Sequence, residues 1–157
     1  MQPTLLITKS PEETKTLAFE IARVLHAGDC LALYGDLGSG KTVFASGLKE
    51  ALGAEGEMQS PTFTLLRSYD KNGGTYGFYH FDAYRLGGAD EWFDLGFDDL
   101  VEGDHVSLIE WADIVEDALP ERTIRVKIER SIESDDDNVR SIELLFPKGD
   151  PRADLEF

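Results

Sequence analysis

One eight-residue stretch constrains this chain more than any other. Gly35-Asp36-Leu37-Gly38-Ser39-Gly40-Lys41-Thr42 fits the pattern G-x-x-x-x-G-K-[ST] at every fixed position. Its glycines let the backbone curl until successive N–H groups converge on an anion, and a helix that starts directly behind the loop adds its positive end. That chemistry requires a buried strand before the loop and a helix after it. Asp29–Tyr34 is a short, nearly continuous apolar run of the kind found in strands buried on both faces, and Lys41 to about Leu52 reads as a helix stopped by Gly53. On this reading Gly38, Ser39, Gly40 and Val43 border bound phosphates. Lys41 supplies a mobile point charge for the β- and γ-phosphates, and Thr42 offers a hydroxyl to Mg²⁺. The expected ligand is ATP with Mg²⁺.

The remaining segments predict an α/β fold. Ser10-Pro11-Glu12-Glu13 is a capping box with proline at the first helical position, and Leu17, Ile21, Val24 and Leu25 follow on one helical face. Thr62–Tyr69 and Thr75–Asp82 are rich in β-branched and aromatic residues around the turn Lys71-Asn72-Gly73-Gly74, which predicts a hairpin. Gly88–Leu100 reads as short helices, His105–Glu110 as a strand, and the stretch up to Pro120 as another short helix. Arg122–Arg130 and Val139–Phe146 alternate with period two around a Ser134–Asn138 loop. Helix, strand, helix, hairpin, helices, strand, helix, hairpin is the order of an α/β chain. We expect a single P-loop NTPase-like domain over residues 1–157, with a mixed central sheet, helices on both faces and antiparallel hairpins.

A phosphate loop of this type works with a carboxylate at the end of a neighbouring buried strand. Two segments qualify, Tyr79-His80-Phe81-Asp82 and Val106-Ser107-Leu108-Ile109-Glu110. Asp82 and Glu110 are therefore the candidate acidic partners of Lys41. Ser60-Pro61-Thr62 carries hydroxyls ahead of the hairpin and could sense a γ-phosphate as a switch loop does. For His80 the expected role is a hydrogen-bonded structural one rather than a proton relay to Asp82. Cys30 and Trp111 are expected in the core, and His26 and His105 in solvent. Trp92 and Phe93 are adjacent aromatics in an acidic helix, which cannot both face the core.

Beyond the glycine-rich loop, four segments resemble the TsaE family in order and spacing. They are Ser60-Pro61-Thr62-Phe63-Thr64-Leu65, His80-Phe81-Asp82-Ala83-Tyr84-Arg85-Leu86, Asp90-Glu91 with Leu95-Gly96, and Leu108-Ile109-Glu110-Trp111. The resemblance covers about residues 10–115. It implies a Mg-dependent ATPase, weak on its own, that serves threonylcarbamoyl-adenosine modification of tRNA by acting on the TsaB–TsaD complex. It further implies Thr42 and Glu110 at Mg²⁺, Asp82 near the attacking water, and Ser60 and Thr62 in a switch-like loop. Val43 stands where the family commonly has threonine, and Ser39 where alanine is common.

Charge decides how such a protein meets a tRNA pathway. The formal net charge is −16, with basic residues scattered rather than blocked. A polyanion is repelled by that field, so direct tight nucleic-acid binding is not expected and a basic protein partner is. Apolar runs are strand-length, far below the roughly 20 residues of a membrane helix, and the first residues lack a signal-peptide pattern. One cysteine cannot form an internal disulfide, so a reduced cytoplasmic setting is the expectation. A GTPase-like switch would need an N-K-x-D guanine reader; Pro147-Lys148-Gly149-Asp150 lacks the Asn, and Asp70-Lys71-Asn72-Gly73 matches D-x-x-G only within a turn. A small-molecule kinase would need a basic lid, and no arginine-rich segment supplies one.

Overall fold

The computed structural model describes residues 3–36, 38–54, 65–69, 77–132 and 134–157. Among these, seven strands form one mixed sheet in the order β1-β7-β6-β2-β5-β4-β3. The strands are β1 (Thr4–Thr8), β2 (Cys30–Tyr34), β3 (Leu66–Tyr69), β4 (Phe78–Asp82), β5 (Val106–Glu110), β6 (Ile124–Arg130) and β7 (Arg140–Leu145). The four central strands β6, β2, β5 and β4 run parallel, while β1, β7 and β3 are antiparallel to their neighbours. Both expected hairpin pairings are present, although the turn between β3 and β4 lies outside the described residues.

Alternation along β2 explains why helices cover both faces. Leu31 and Leu33 point to one side, where they join Val106, Leu108, Ile124 and Val126 under α1 (Pro11–Ala22) and α2 (Lys41–Ala51). Cys30 and Ala32 point to the other, with Phe81 and Ile109 against Trp92, Phe97, Val101 and Val115. That second layer is built from α3 (Ala89–Asp94), α4 (Phe97–Val101) and a 3-10 helix at Ala112–Ala118. A strand buried on both faces favours apolar residues on both, which is why its sequence is a continuous apolar run. Cys30 belongs to this core, and burial pushes its thiol up to about 11. Trp92 is buried while Phe93 is exposed, as adjacent positions on a helix demand.

α1 begins as its sequence predicts, with the Ser10 hydroxyl accepting from the Glu13 N–H at 3.1 Å and proline in the first turn. Two elements were not foreseen. β1 precedes α1 and pairs with β7, and a 3-10 helix at Pro151–Asp154 follows β7. Arg152 fastens that terminal turn to the rest of the molecule. Its guanidinium donates to Asp29 Oδ2 at 2.6 Å, to Asp150 Oδ2 at 2.8 Å and to the Val24 carbonyl at 3.0 Å, and lies over the Phe146 ring. Asp29 directly precedes β2, so this network holds the entry to the central strand. No helix among the described residues is long and apolar enough to cross a membrane.

Removing one member of a nearly buried ion-paired cluster leaves the others uncompensated, at a cost of about 3 kcal/mol. Arg152→Ala should therefore destabilise the chain by about that amount in urea unfolding near neutral pH. The Arg152 bond depresses the Asp150 pKa. That contribution is present above the unfolded aspartate value of about 3.9 and is lost as pH falls through the lower folded value. The gap between parent and variant should accordingly narrow in acid.

Candidate functional site

Because β6, β2, β5 and β4 are parallel, their carboxyl ends open on one edge of the sheet, the usual place for a ligand in such folds. β2 ends at Tyr34 and the chain turns at Gly35. A Cβ at Gly35 would lie 2.5 Å from the Ile128 carbonyl oxygen and 2.6 Å from Ser39 Oγ, so only glycine fits. Gly40, at φ 105°, then opens α2 with no side-chain cap, and no acidic residue stands in its first turn. The leading N–H groups of α2 are left to whatever anion sits in the loop.

The acidic partners arrive by register. Asp82 and Glu110 are directly paired across β4 and β5, and each ends its strand. Their even numbers place them, with His80, on the α1–α2 face, the same side as the loop. All three are buried. His80 Nε2 lies 2.5 Å from Glu110 Oε2, so the histidine is indeed a hydrogen-bonded one, with Glu110 as its partner rather than Asp82. Asp82 Oδ1 instead accepts the Tyr84 N–H at 2.9 Å. Burial raises the Asp82 pKa, the Tyr84 N–H opposes that rise, and the Glu110 charge adds to it.

Lys41 is a cation held out of water. It is 6% exposed, and its ammonium has no hydrogen-bond partner among the described residues. It rests on the face of Trp111, 3.9 Å from the ring centroid. Burial lowers its pKa, against the opposing pull of Glu110, Asp82, Asp113 and Asp36. Trp111 is half-buried, packing against the second core layer as expected while its ring faces the lysine. It adopts φ 56°, the left-handed region that non-glycine residues avoid at a cost of about 1–3 kcal/mol. This turn, directly after Glu110, brings the indole over the lysine, and Tyr84 packs against it with ring centroids 5.0 Å apart.

Lys41, Asp82 and Glu110 are thus gathered at one end of the sheet. Thr42 is exposed in the first turn of α2, and Val43 is half-buried beside it. Gly38, Ser39 and Gly40 form the loop, in which Ser39 is buried and its hydroxyl has no partner among the described residues. Ser60 and Thr62 lie outside the described residues. His26 is exposed as expected, whereas His105 is half-buried and stacks on Tyr79 at 4.2 Å. Two residues were missed by sequence reading. Arg130 and Arg140 both donate to loop carbonyls from the β6–β7 hairpin. Their even numbers put them on the loop's side, yet alternation alone marks a face and not a contact.

A family model described as "Threonylcarbamoyl adenosine biosynthesis protein TsaE" matches residues 8–141, further than the motifs alone indicated and as far as β7. The tRNA threonylcarbamoyladenosine biosynthesis protein TsaE of Bacillus subtilis is 44% identical over 124 residues, spanning 79% of this chain and 76% of that protein. Its counterpart in Treponema pallidum is 38% identical over 122 residues, spanning 78% and 88% respectively. Among solved structures, Bacillus subtilis YdiB superimposes with a TM-score of 0.71 at 36% identity, covering 91% of this chain and 84% of that one. The chain belongs to the TsaE family of proteins of tRNA threonylcarbamoyladenosine biosynthesis.

Proposed function

We propose that this chain binds Mg-ATP in the loop Gly35–Thr42 and hydrolyses it, and that hydrolysis acts on the TsaB–TsaD complex during tRNA threonylcarbamoyladenosine formation. The observation that carries the ATP reading is the Lys41 ammonium, buried and without a hydrogen-bond partner among the described residues, beside an uncapped helix start. A buried cation is costly unless something anionic answers it. Phosphate oxygens at the loop would do so, and the loop N–H groups and the α2 dipole would act on the same charge. Gly38, Ser39, Gly40 and Val43 would border the phosphates, and Ser60 and Thr62 would report the γ-phosphate.

The donor set fits Mg²⁺. Among the described residues no cluster of three or more His, Cys, Asp or Glu could hold a metal alone. Mg²⁺ sites that take one or two protein oxygens and complete themselves with phosphates need no such cluster. Thr42 and Glu110 would hold the ion, with His80 fixing the Glu110 carboxylate from behind. When bound, the ion neutralises charge on the transferred phosphoryl oxygens. Asp82, held by the Tyr84 N–H, would orient the attacking water.

A cytoplasmic ATPase with a net charge of −16 approaches tRNA poorly, so a protein complex that itself holds the tRNA is the natural counterpart. Association with it would be steered by opposite charge and would weaken with salt. Coupling requires that affinity differ between nucleotide states. Gel filtration with TsaB–TsaD should show retention that changes among the apo, ADP and non-hydrolysable ATP states; equal retention in all three defeats the partner assignment.

The site chemistry has its own test. Thr42→Ala and Glu110→Ala should each weaken Mg-dependent hydrolysis, and Asp82→Asn should lower kcat on the order of 100-fold with little change in ADP affinity. Asp82 has its folded pKa raised, so any stability it contributes is present below its unfolded value and lost as pH rises through the folded one. At neutral pH the ionised group destabilises the empty protein. Asp82→Asn should therefore melt higher than the parent while turning over more slowly, and parent-level turnover in that variant would remove Asp82 from the mechanism.

A further inference from the structure

We propose that Arg140 is a positioning residue that holds the glycine-rich loop in its anion-receiving shape from behind, with Arg130 as a weaker second brace. The inference rests on the nucleotide reading given above, and extends it to residues on the opposite side of the loop from the carboxylates. β6 flanks β2 on one side and β5 on the other, so the loop leaving β2 lies between Arg130 at the end of β6 and Glu110 at the end of β5. Arg130 and Arg140 face each other in the β6–β7 register. They share the parity of Ile128 and Ile142, which belong to the core under α1 and α2.

Among the described residues each arginine is aimed at carbonyls, not at carboxylates. Arg140 Nε donates to the Ser39 carbonyl at 2.8 Å, and its Nη2 lies 3.5 Å from the Gly38 carbonyl. Its Nη1 donates to the carbonyls of Asp137 and Val139, which anchor the guanidinium on its own hairpin. Arg130 Nε reaches the Gly38 carbonyl at 3.4 Å, a longer and more exposed contact. Arg140 is therefore a strut with one end fixed on the sheet and the other on the loop.

The loop needs such a strut. Gly38 and Gly40 sit at φ 77° and 105°, where glycine has no strong preference of its own for one conformation. A trans peptide is planar, with its C=O and N–H pointing in opposite directions. Holding the Ser39 carbonyl outward on Arg140 turns the Gly40 N–H the other way, away from the hairpin. The Ser39 N–H is occupied by the Asp36 carbonyl at 3.1 Å, whereas the Gly40 N–H, on the peptide that Arg140 controls, has no partner among the described residues. A guanidinium behind the loop also adds positive potential without touching the ligand.

The test measures Arg140→Ala, Arg140→Lys and Arg130→Ala for ADP affinity by titration calorimetry, ATPase kcat and KM, melting temperature, and hydrogen exchange at Gly38–Gly40 in the nucleotide-free protein. Loss of one charge-assisted bond predicts about a 10-fold rise in ADP Kd and in KM for Arg140→Ala, with kcat within about 2-fold of the parent. Exchange at Ser39, whose N–H is bonded to the Asp36 carbonyl, should rise, Arg140→Lys should restore part of the affinity, and Arg130→Ala should have the smaller effect. Should Arg140→Ala fail to fold, Arg140→Lys carries the test, with intermediate affinity and exchange expected. Unchanged affinity and exchange in a folded Arg140→Ala overturns the proposal, as does a fall in kcat with KM intact, which would mean direct action on the transition state. The exchange measurement needs no nucleotide, so failure of the parent to bind ATP would refute the functional reading separately.

Discussion

The parallel pairing of β2 with β5 on one side and β6 on the other is the constraint on which the site depends. It aligns Leu33 with Glu110 and Tyr34 with Lys127, so the loop that leaves β2 emerges level with the end of β5 and beside the last residues of β6. The Asp82–Glu110 pairing across β4 and β5 extends the same row by one strand. A slip of one residue in β5 would turn Glu110 to the opposite face and replace it with Ile109 or Trp111. The same slip would exchange the β5 side chains packed in the two core layers, Val106 and Leu108 in one and Ile109 in the other, so the core and the site share one register.

Around that register the chain accepts charges in places that disfavour them. Lys41 has its pKa lowered and Asp82 has its pKa raised, both chiefly by burial, so each group's ionised form is the one the empty protein resists. Groups shifted against their charge in a cleft are characteristic of sites built for a ligand rather than for stability. Glu110 and Asp82 relieve Lys41, and Trp111 covers it at the expense of a left-handed backbone. The Arg152 cluster provides a contrast. There each charge has a hydrogen-bonded counterion, and the effect is to fasten the terminal turn and the entry to β2.

How much of this could be read in the residues depended on whether the signal was local. The loop, the Ser10 cap, the buried strand β2 and the two antiparallel pairings carry their physics within a few neighbours, and all were legible. Asp82 and Glu110 were legible as strand-end carboxylates, but their direct pairing and the His80–Glu110 bond depend on register. β1 was overlooked because Thr4–Thr8 is short and its Leu5 and Ile7 side chains remain exposed, so it gives no pattern of one buried face. Trp111 was read as core because its chemistry favours burial; its left-handed turn is invisible in composition. Arg130 and Arg140 lie about 90 to 100 residues from the loop they touch, and nothing near them in sequence points to it. The switch-like role expected for Ser60 and Thr62 concerns residues outside the described ones.

The central claim is that the Lys41 ammonium is held ready for nucleotide phosphate at the end of β2. A crystal structure of the chain grown with Mg²⁺ and a non-hydrolysable ATP analogue addresses it directly. The account predicts triphosphate density along Gly38–Thr42, with Lys41 Nζ moved from the Trp111 ring to hydrogen-bond distance of the phosphates, and the ion between them and Glu110. Nucleotide bound away from this loop, or phosphates in the loop with Lys41 still lying on Trp111, would contradict it.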